Sequence, residues 1–117
     1  MLVFVYGTLR KGEVNHNVLG NSPLVGVFRT EPRFTLHAMR WFPAMVAGGS
    51  TSVVGEVYEV EARTLWEIDR LEGHPSYYQR RHILLDNGQT VQAYLMPAEG
   101  AYGYPTIDSG DWLDKGE

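Results

Sequence analysis

The chain has 117 residues, 44% of them hydrophobic, which suits one domain with one core over residues 1–117. A charged fraction of 21% argues against disorder, and a formal net charge of -4 argues against nucleic-acid binding, which needs a basic face. The absence of cysteine excludes disulfides and thiolate metal sites. No apolar run approaches the roughly 20 residues of a membrane span. The N-terminal run has no basic leader, so a cytoplasmic location without a membrane partner is expected.

The first half of the chain predicts short strands. Residues 2–6 form a continuous β-branched and aromatic run, which is typical of a strand buried on both faces. A short helix is expected over residues 14–19, with Gly20 and Asn21 as its stop. Strands are then predicted at 24–29, 33–37 and 53–60, the last partly buried on both faces. Residues 43–49 begin as a short strand at best and end in a flexible Ala-Gly-Gly-Ser.

The convincing helix lies at residues 62–71, where Leu65, Ile68 and Leu71 mark an apolar stripe at helical spacing. Glu72 follows Ile68 by four residues, so it points along the same stripe toward the core. Gly73 is a natural helix stop. Desolvation and the negative end of the helix dipole would both raise the pKa of Glu72, as a general acid or base requires. The alternative is a helix that frays before Glu72 and leaves an ordinary solvated acid.

The second half of the chain predicts a hairpin. Residues 78–85 and 90–96 flank Asp86-Asn87-Gly88, which carries the Asn-Gly signal for a tight turn. Many short strands with one good helix predict an α+β domain built on a curled or closed sheet. Trp112 and Leu113 are expected to pack against the body, and the last four residues to fray.

The first strand ends abruptly at Tyr6, Gly7, Thr8 and Leu9. A glycine there lets a ligand approach the backbone closely, and successive free N–H groups hold a carboxylate or a developing oxyanion. A plain strand-to-helix turn explains the same residues. Tyr77 and Tyr78 are predicted as strand residues with rings on opposite faces, so one phenol is able to reach the pocket that Glu72 faces. On the sequence alone, a structural role for both tyrosines is favoured.

Other catalytic signals are missing from the sequence. There is no phosphate-binding loop, dinucleotide fingerprint or Gly-x-Ser-x-Gly motif, and the four histidines show no metal-ligand spacing. The pairs Arg10-Lys11 and Arg80-Arg81 are interpreted as solvated surface. No metal is therefore expected.

Two stretches carry a resemblance to a known family. VFVYGTLRKGEVNHNVL contains Tyr-Gly-Thr-Leu at the end of the first strand, and LEGHPSYYQRR follows far downstream. The second stretch fits the pattern Asp-x-x-Glu-Gly-x-Pro-x-x-Tyr-x-Arg at Asp69, Glu72, Gly73, Pro75, Tyr78 and Arg80. Together they resemble the γ-glutamylcyclotransferase or AIG2-like superfamily, with the closest likeness to its γ-glutamylamine cyclotransferase branch. Ser109 to Trp112 is similar to the tail of small microbial members.

The resemblance implies a small mixed β-barrel with flanking short helices and an enzyme without metal or organic cofactor. Its implied reaction releases 5-oxoproline and a free amine or amino acid from a small γ-glutamyl compound, by attack of the substrate's own α-amine. Glu72 is the implied catalytic acid and base. The implied substrate-binding residues are Tyr6, Gly7, Thr8, Leu9 and Tyr78.

Two other functions stay open on the same fold. One is a catalytically silent module that binds a γ-glutamyl metabolite. The other is an enzyme that trims a γ-glutamyl protecting group from a biosynthetic intermediate. The sequence leaves the oligomeric state open, with a monomer favoured.

Overall fold

The computed structural model describes residues 1–114, and one curled sheet forms most of their regular structure. Its seven strands are β1 (Leu2–Val5), β2 (Leu24–Arg29), β3 (Phe34–Ala38), β4 (Pro43–Ala47), β5 (Val54–Glu59), β6 (Gln79–Leu84) and β7 (Thr90–Leu95). The helices are α1 (Ala62–Glu72), α2 (Ala98–Ala101) and a 3₁₀ helix, His16–Leu19. The predicted α+β class with few short helices is confirmed.

The strand order is β2-β5-β1-β7-β4-β3, and β6 also pairs with β7. The pairings of β7 with β1 and β4 are parallel, and the others are antiparallel. The ends of β2 and β6 meet at an isolated bridge between Thr30 and Leu85. The sheet therefore curls toward the predicted barrel without a continuous ladder at this seam.

Strand β6 pairs with β7 along the whole of one edge. Strands β1 and β4 therefore share the other edge of β7, each pairing with a different part of it. β1 is level with Gln92 and β4 with Leu95. At the point of divergence, the Tyr6 hydroxyl donates to the Tyr94 carbonyl at 2.6 Å and accepts from the Met45 N–H at 3.0 Å. The Tyr6 hydroxyl thus links the backbones of β7 and β4 at the point where β1 leaves the sheet.

The core lies on both faces of the sheet, as the patterns of β1 and β5 predict. One cluster includes Val3 and Val5 together with Leu65 and Ile68 of α1. The opposite cluster includes Phe4 on the other face of β1. Helix α1 is therefore fixed against the sheet by the stripe that the sequence shows, and its last turn lies beside the end of β1.

Several local predictions need correction. The helix expected over residues 14–19 is a four-residue 3₁₀ helix, and α2 was not predicted because Gly100 weakens its helical signal. Trp112 is buried as expected, but Leu113 is 49% exposed, so its predicted packing is wrong. The Asp114 N–H donates to the Asp111 carbonyl, and the rest of the segment expected to fray lies outside the described residues. The hairpin at Asp86-Asn87-Gly88 is confirmed.

Candidate active site

A cavity of about 250 Å³ opens where β1 leaves the sheet, between the following loop and the end of α1. Its wall combines the end of β1 and the loop after it with residues just before the 3₁₀ helix. The segment that enters β4, the end of α1 with the turn after it, and one residue of β7 complete the wall. The wall residues are Phe4, Val5, Tyr6, Gly7, Thr8, Leu9, Val14, Asn15, Trp41, Phe42, Pro43, Leu71, Glu72, Tyr77, Tyr78 and Tyr94. Every site residue predicted from the sequence lines this cavity, and their roles in binding and catalysis stay predictions.

Glu72 is the last residue of α1, and the helix does not fray before it. Gly73 adopts the left-handed conformation at φ 69°, and its N–H donates to the Arg70 and Asp69 carbonyls. Burial raises the pKa of Glu72 from 4.5 to about 7. Within residues 1–114 its carboxylate forms no hydrogen bond or ion pair. A partly buried acid that titrates near neutrality and has a free carboxylate is suited to proton transfer.

Three phenols in the wall are occupied by protein acceptors. Tyr6 donates to the Tyr94 carbonyl, Tyr78 to the Pro43 carbonyl at 2.7 Å, and Tyr94 to Asp69 Oδ1 at 2.5 Å. Burial raises the pKa of each of these hydroxyls well above its usual value. They are therefore neutral, which leaves Glu72 as the wall's acid for chemistry near pH 7. No sequence signal pointed to Tyr94, because strand alternation alone does not tell which face of a strand meets a cavity.

The loop after β1 presents backbone to the cavity. Its carbonyls are held from within the chain: the Arg10 N–H donates to Gly7 O at 3.0 Å and the Asn15 N–H to Thr8 O at 2.9 Å. Among the described residues, the N–H groups of Gly7, Thr8 and Leu9 donate to no acceptor. Successive free N–H groups form a site for an anion or an oxyanion.

Gly7 is required by packing. A Cβ atom there would lie 2.6 Å from Cγ and 2.7 Å from Cδ of Pro43, a rigid ring in the same wall. The loop backbone thus lies directly against Pro43, the first residue of β4. The close approach of a ligand to Gly7 stays a prediction.

Arg10 is not the solvated surface residue that its pair with Lys11 indicated. Its side chain is buried, and its guanidinium contacts Glu56 at 3.3 Å and Asp111 at 2.8 Å. Glu56 also accepts the Lys11 N–H at 2.9 Å. The backbone after Gly7-Thr8-Leu9 is therefore tied both to β5 and to the C-terminal segment.

Arg80 is also paired, contrary to its interpretation as solvated surface, whereas Arg81 is exposed. The Arg80 guanidinium donates to both carboxylate oxygens of Asp69, at 2.9 and 3.1 Å, and to Gln92 at 2.6 Å. The two motif residues Asp69 and Arg80 thereby fix the end of α1 to β6 and β7, next to Glu72.

Tyr77 and Tyr78 precede β6 and do not lie on opposite faces of a strand. The chain turns after α1, with the Tyr77 N–H donating to the Gly73 carbonyl and the Tyr78 N–H to the Glu72 carbonyl. Their rings meet edge to face with centroids 5.3 Å apart, and Phe42 lies 6.3 Å from both. This aromatic group forms one side of the cavity, so both tyrosines reach it.

Within residues 1–114, no three His, Cys, Asp or Glu side chains come together in a group that would hold a metal ion. The absence of a metal requirement stays a prediction. No helix in the same range is long and apolar enough to cross a membrane.

The curled mixed sheet and its cavity define a small α+β domain with a pocket of small-molecule size. Residues 3–114 match the family model described as gamma-glutamyl cyclotransferase, AIG2-like, and the chain belongs to this family. The resemblance to this family seen in the sequence is confirmed, and the likeness to its γ-glutamylamine branch stays a prediction.

Relatives of similar length support the assignment. A protein of Methanocaldococcus jannaschii, provisionally named a gamma-glutamylcyclotransferase, is 42% identical over 96% of this chain and 95% of its own. The solution structure of Escherichia coli ytfP has a TM-score of 0.74 at 34% identity and covers 98% of both chains. The crystal structure of a mouse AIG2-like protein has a TM-score of 0.74 at 29% identity, covering 94% of this chain and 87% of that one.

Proposed function

We propose that the protein releases 5-oxoproline and a free amine from a small γ-glutamyl compound, with Glu72 as both general base and general acid. The family supports an enzyme of the γ-glutamylcyclotransferase type. The observation that carries the proposal is the Glu72 carboxylate, which faces the cavity and has no hydrogen-bond or ion-pair partner within residues 1–114. Burial raises its pKa to about 7.

The reaction is an intramolecular transfer that needs no water and no protein nucleophile. Glu72 takes a proton from the α-ammonium group of the substrate. The freed amine attacks the γ-carbonyl carbon, and a carbon–nitrogen bond closes a five-membered lactam. As the former amide bond breaks, Glu72 gives this proton to the departing nitrogen and then takes the remaining extra proton from the ring nitrogen. That second proton passes to the released amine, so both protons lost by the α-ammonium group leave on the ammonium product and Glu72 ends ionised.

The cavity supplies orientation as well as proton transfer. A γ-glutamyl chain is flexible, and holding its amine against its own γ-carbonyl lowers the barrier by up to about 7–11 kcal/mol in favourable cases. In this proposal the substrate carboxylate or the oxyanion of the intermediate accepts from the N–H groups of Gly7, Thr8 and Leu9, which donate to no acceptor within residues 1–114. Wall tyrosines such as Tyr78 bind the substrate's body without changing charge.

The test is 5-oxoproline release from γ-glutamyl amines, γ-glutamyl amino acids and glutathione, measured by mass spectrometry for wild type, Glu72→Gln and Glu67→Gln. Glu67 is an exposed acid of the same helix and serves as the matched control. We expect Glu72→Gln to lose at least about 10⁴-fold in kcat, because one residue serves both proton transfers. Glu67→Gln should keep wild-type activity.

Three results would contradict the proposal. Wild-type release by Glu72→Gln would show that another group moves the protons. Binding of γ-glutamyl compounds without any release by the wild type would favour the silent binding module. Release of the free amine together with intact glutamate, in place of 5-oxoproline, would indicate hydrolysis of the γ-glutamyl group.

A further inference from the structure

A C-terminal strap, residues 107–112, contains the Ser-Gly-Asp-Trp motif and lies against both the sheet and the loop after β1. The Ile107 N–H donates to a carbonyl of β3 at 2.8 Å, and the Val54 N–H of β5 donates to the Gly110 carbonyl at 2.8 Å. A Cβ atom at Gly110 would collide with the Ser52 carbonyl oxygen, so the backbone of the strap packs directly on the chain before β5. The C-terminal strap is therefore fixed to two strands before its last two residues reach the loop.

Two consecutive side chains of the strap contact the loop. Asp111 Oδ1 accepts from the Arg10 guanidinium at 2.8 Å, and the indole N–H of buried Trp112 donates to Glu13 Oε1 at 3.1 Å. Arg10 and Glu13 are the ends of one turn, in which the Glu13 N–H donates to the Arg10 carbonyl at 2.9 Å. The strap therefore holds both ends of the turn that follows Leu9.

This turn controls the peptide groups in the cavity wall. The Arg10 N–H donates to Gly7 O at 3.0 Å. Asn15, further along the same stretch, donates its N–H to Thr8 O at 2.9 Å and its side-chain amide to Thr8 Oγ1 at 3.0 Å. Because a trans peptide group is planar, a carbonyl that is held on one side directs the N–H of the next residue to the other side. These bonds thereby set the directions of the N–H groups of Thr8 and Leu9.

We propose that Asp111 and Trp112 are positioning residues for the substrate site. Through Arg10 and Glu13 they fix the directions of the loop N–H groups, and so set the affinity of the protein for the α-carboxylate of a γ-glutamyl ligand. The inference rests on the proposed function, which assigns those N–H groups to an anionic group of the substrate. Neither Asp111 nor Trp112 lines the cavity, so both act through the loop. Hydrogen bonds weaken steeply with misalignment, which makes carboxylate binding sensitive to the strap.

A pair of ligands isolates the contact with the carboxylate. γ-Glutamyl-methylamine and its α-carboxamide differ in whether the α-substituent is a carboxylate or a neutral amide. Their affinities are measured by calorimetry with Glu72→Gln, which should hold the ligand without turnover. We expect this protein to bind the carboxylate about tenfold or more tightly than the amide, because hydrogen bonds to charged acceptors are the stronger ones. Equal affinities, or no measurable binding of the carboxylate ligand, would overturn the inference.

Variants of the strap contact are then added to this protein. Glu13→Ala removes the acceptor of the Trp112 indole and should lower the preference for the carboxylate by about fivefold, whereas Glu13→Gln keeps an oxygen acceptor and should retain it. Trp112→Phe should reproduce Glu13→Ala, and the two changes together should lose no more than either alone, since both break one contact. Asp111→Ala should also lower the preference, and Asp111→Asn should keep most of it. The exposed Asp108→Ala is the matched control in the strap and should leave the preference unchanged.

The ratio of the two affinities separates positioning from a general loss of stability, which would weaken both ligands alike and leave the ratio unchanged. An unchanged ratio in Glu13→Ala and Trp112→Phe, or an equal fall in Asp108→Ala, would overturn the inference even if wild type releases 5-oxoproline. A fall confined to the strap contacts supports it even if wild type releases none, a result that would overturn the proposed reaction alone.

Discussion

Replacing Glu72 by glutamine should make the folded protein more stable at alkaline pH while removing its activity. Folding raises the pKa of Glu72, so the folded state holds this proton more tightly than the unfolded state does. The resulting stability is present below the unfolded pKa of 4.5. It is lost as pH rises through about 7, where the folded protein must keep an unpaired, partly buried charge. Glutamine is neutral at every pH and has no such charge.

The size of the effect follows from the two pKa values. The pKa rises from 4.5 to about 7, and each unit corresponds to about 1.4 kcal/mol of free energy. Ionised Glu72 therefore lowers the free energy of unfolding by about 3 kcal/mol at pH 8, and by less than about 1 kcal/mol at pH 5. For a domain of this size, the difference amounts to about 10 °C in the unfolding temperature.

The assay is urea unfolding of wild type, Glu72→Gln and Glu67→Gln at pH 5 and pH 8. The stability of Glu72→Gln relative to wild type should grow by about 2–3 kcal/mol between the two pH values. Comparing the change with pH removes any constant effect of the amide on packing. Glu67 is exposed, so Glu67→Gln should show little change over the same range.

A constant difference between Glu72→Gln and wild type across this pH range would refute the reasoning. It would mean that Glu72 is solvated in the folded protein and has an ordinary pKa. The case for Glu72 as a base that is half ionised near pH 7 would then fail together with the stability argument.

Three further outcomes are expected. Gly7→Ala should lower the free energy of unfolding by about 1–3 kcal/mol and raise KM, because its Cβ would collide with the Pro43 ring; an unchanged urea midpoint and KM would contradict this. Asp111→Ala should cost about 1.5–3 kcal/mol in urea unfolding, since it removes a charged partner of buried Arg10, while Asp111→Asn keeps an acceptor and should recover most of the loss. The exposed Asp108→Ala is the control on the same segment, and an equal loss there would show that Arg10 is not the cause. EDTA should leave 5-oxoproline release unchanged, and loss of activity that a divalent ion restores would show a metal requirement.

Glu72 illustrates what a local pattern predicts. The spacing of Leu65 and Ile68 sets the direction of the stripe, and Gly73 sets the end of the helix, so the position of Glu72 follows from about eight neighbouring residues. The strands β1 and β5 were predicted for the same reason, since their burial on two faces is visible in their composition.

The wrong predictions concern residues whose burial or conformation depends on contacts with distant parts of the chain. Arg10 follows a loop and precedes Lys11, which predicts surface, yet its partner Asp111 is 101 residues away in the sequence. The alternating pattern predicts Tyr77 and Tyr78 as strand residues. In the structure they belong to the turn that follows α1, and β6 begins only at Gln79. Tyr94 reaches the cavity because β1 and β4 share one edge of β7, an arrangement that no short stretch of sequence encodes.

The treatment of acids in this fold distinguishes Glu72 from its neighbours. Asp69, three residues earlier on α1, has both oxygens bound by Arg80, and the buried Glu56 has Arg10. A cation beside Glu72 would lower the pKa of its carboxyl and hold it ionised, which would make it a weak base at pH 7. Arg10 and Arg80 instead pair with Glu56 and Asp69, the acids that position the cavity wall. Within the described residues, no cation pairs with Glu72. The loss of stability expected above pH 7 is therefore the direct consequence of leaving one carboxylate free for the proposed proton transfer.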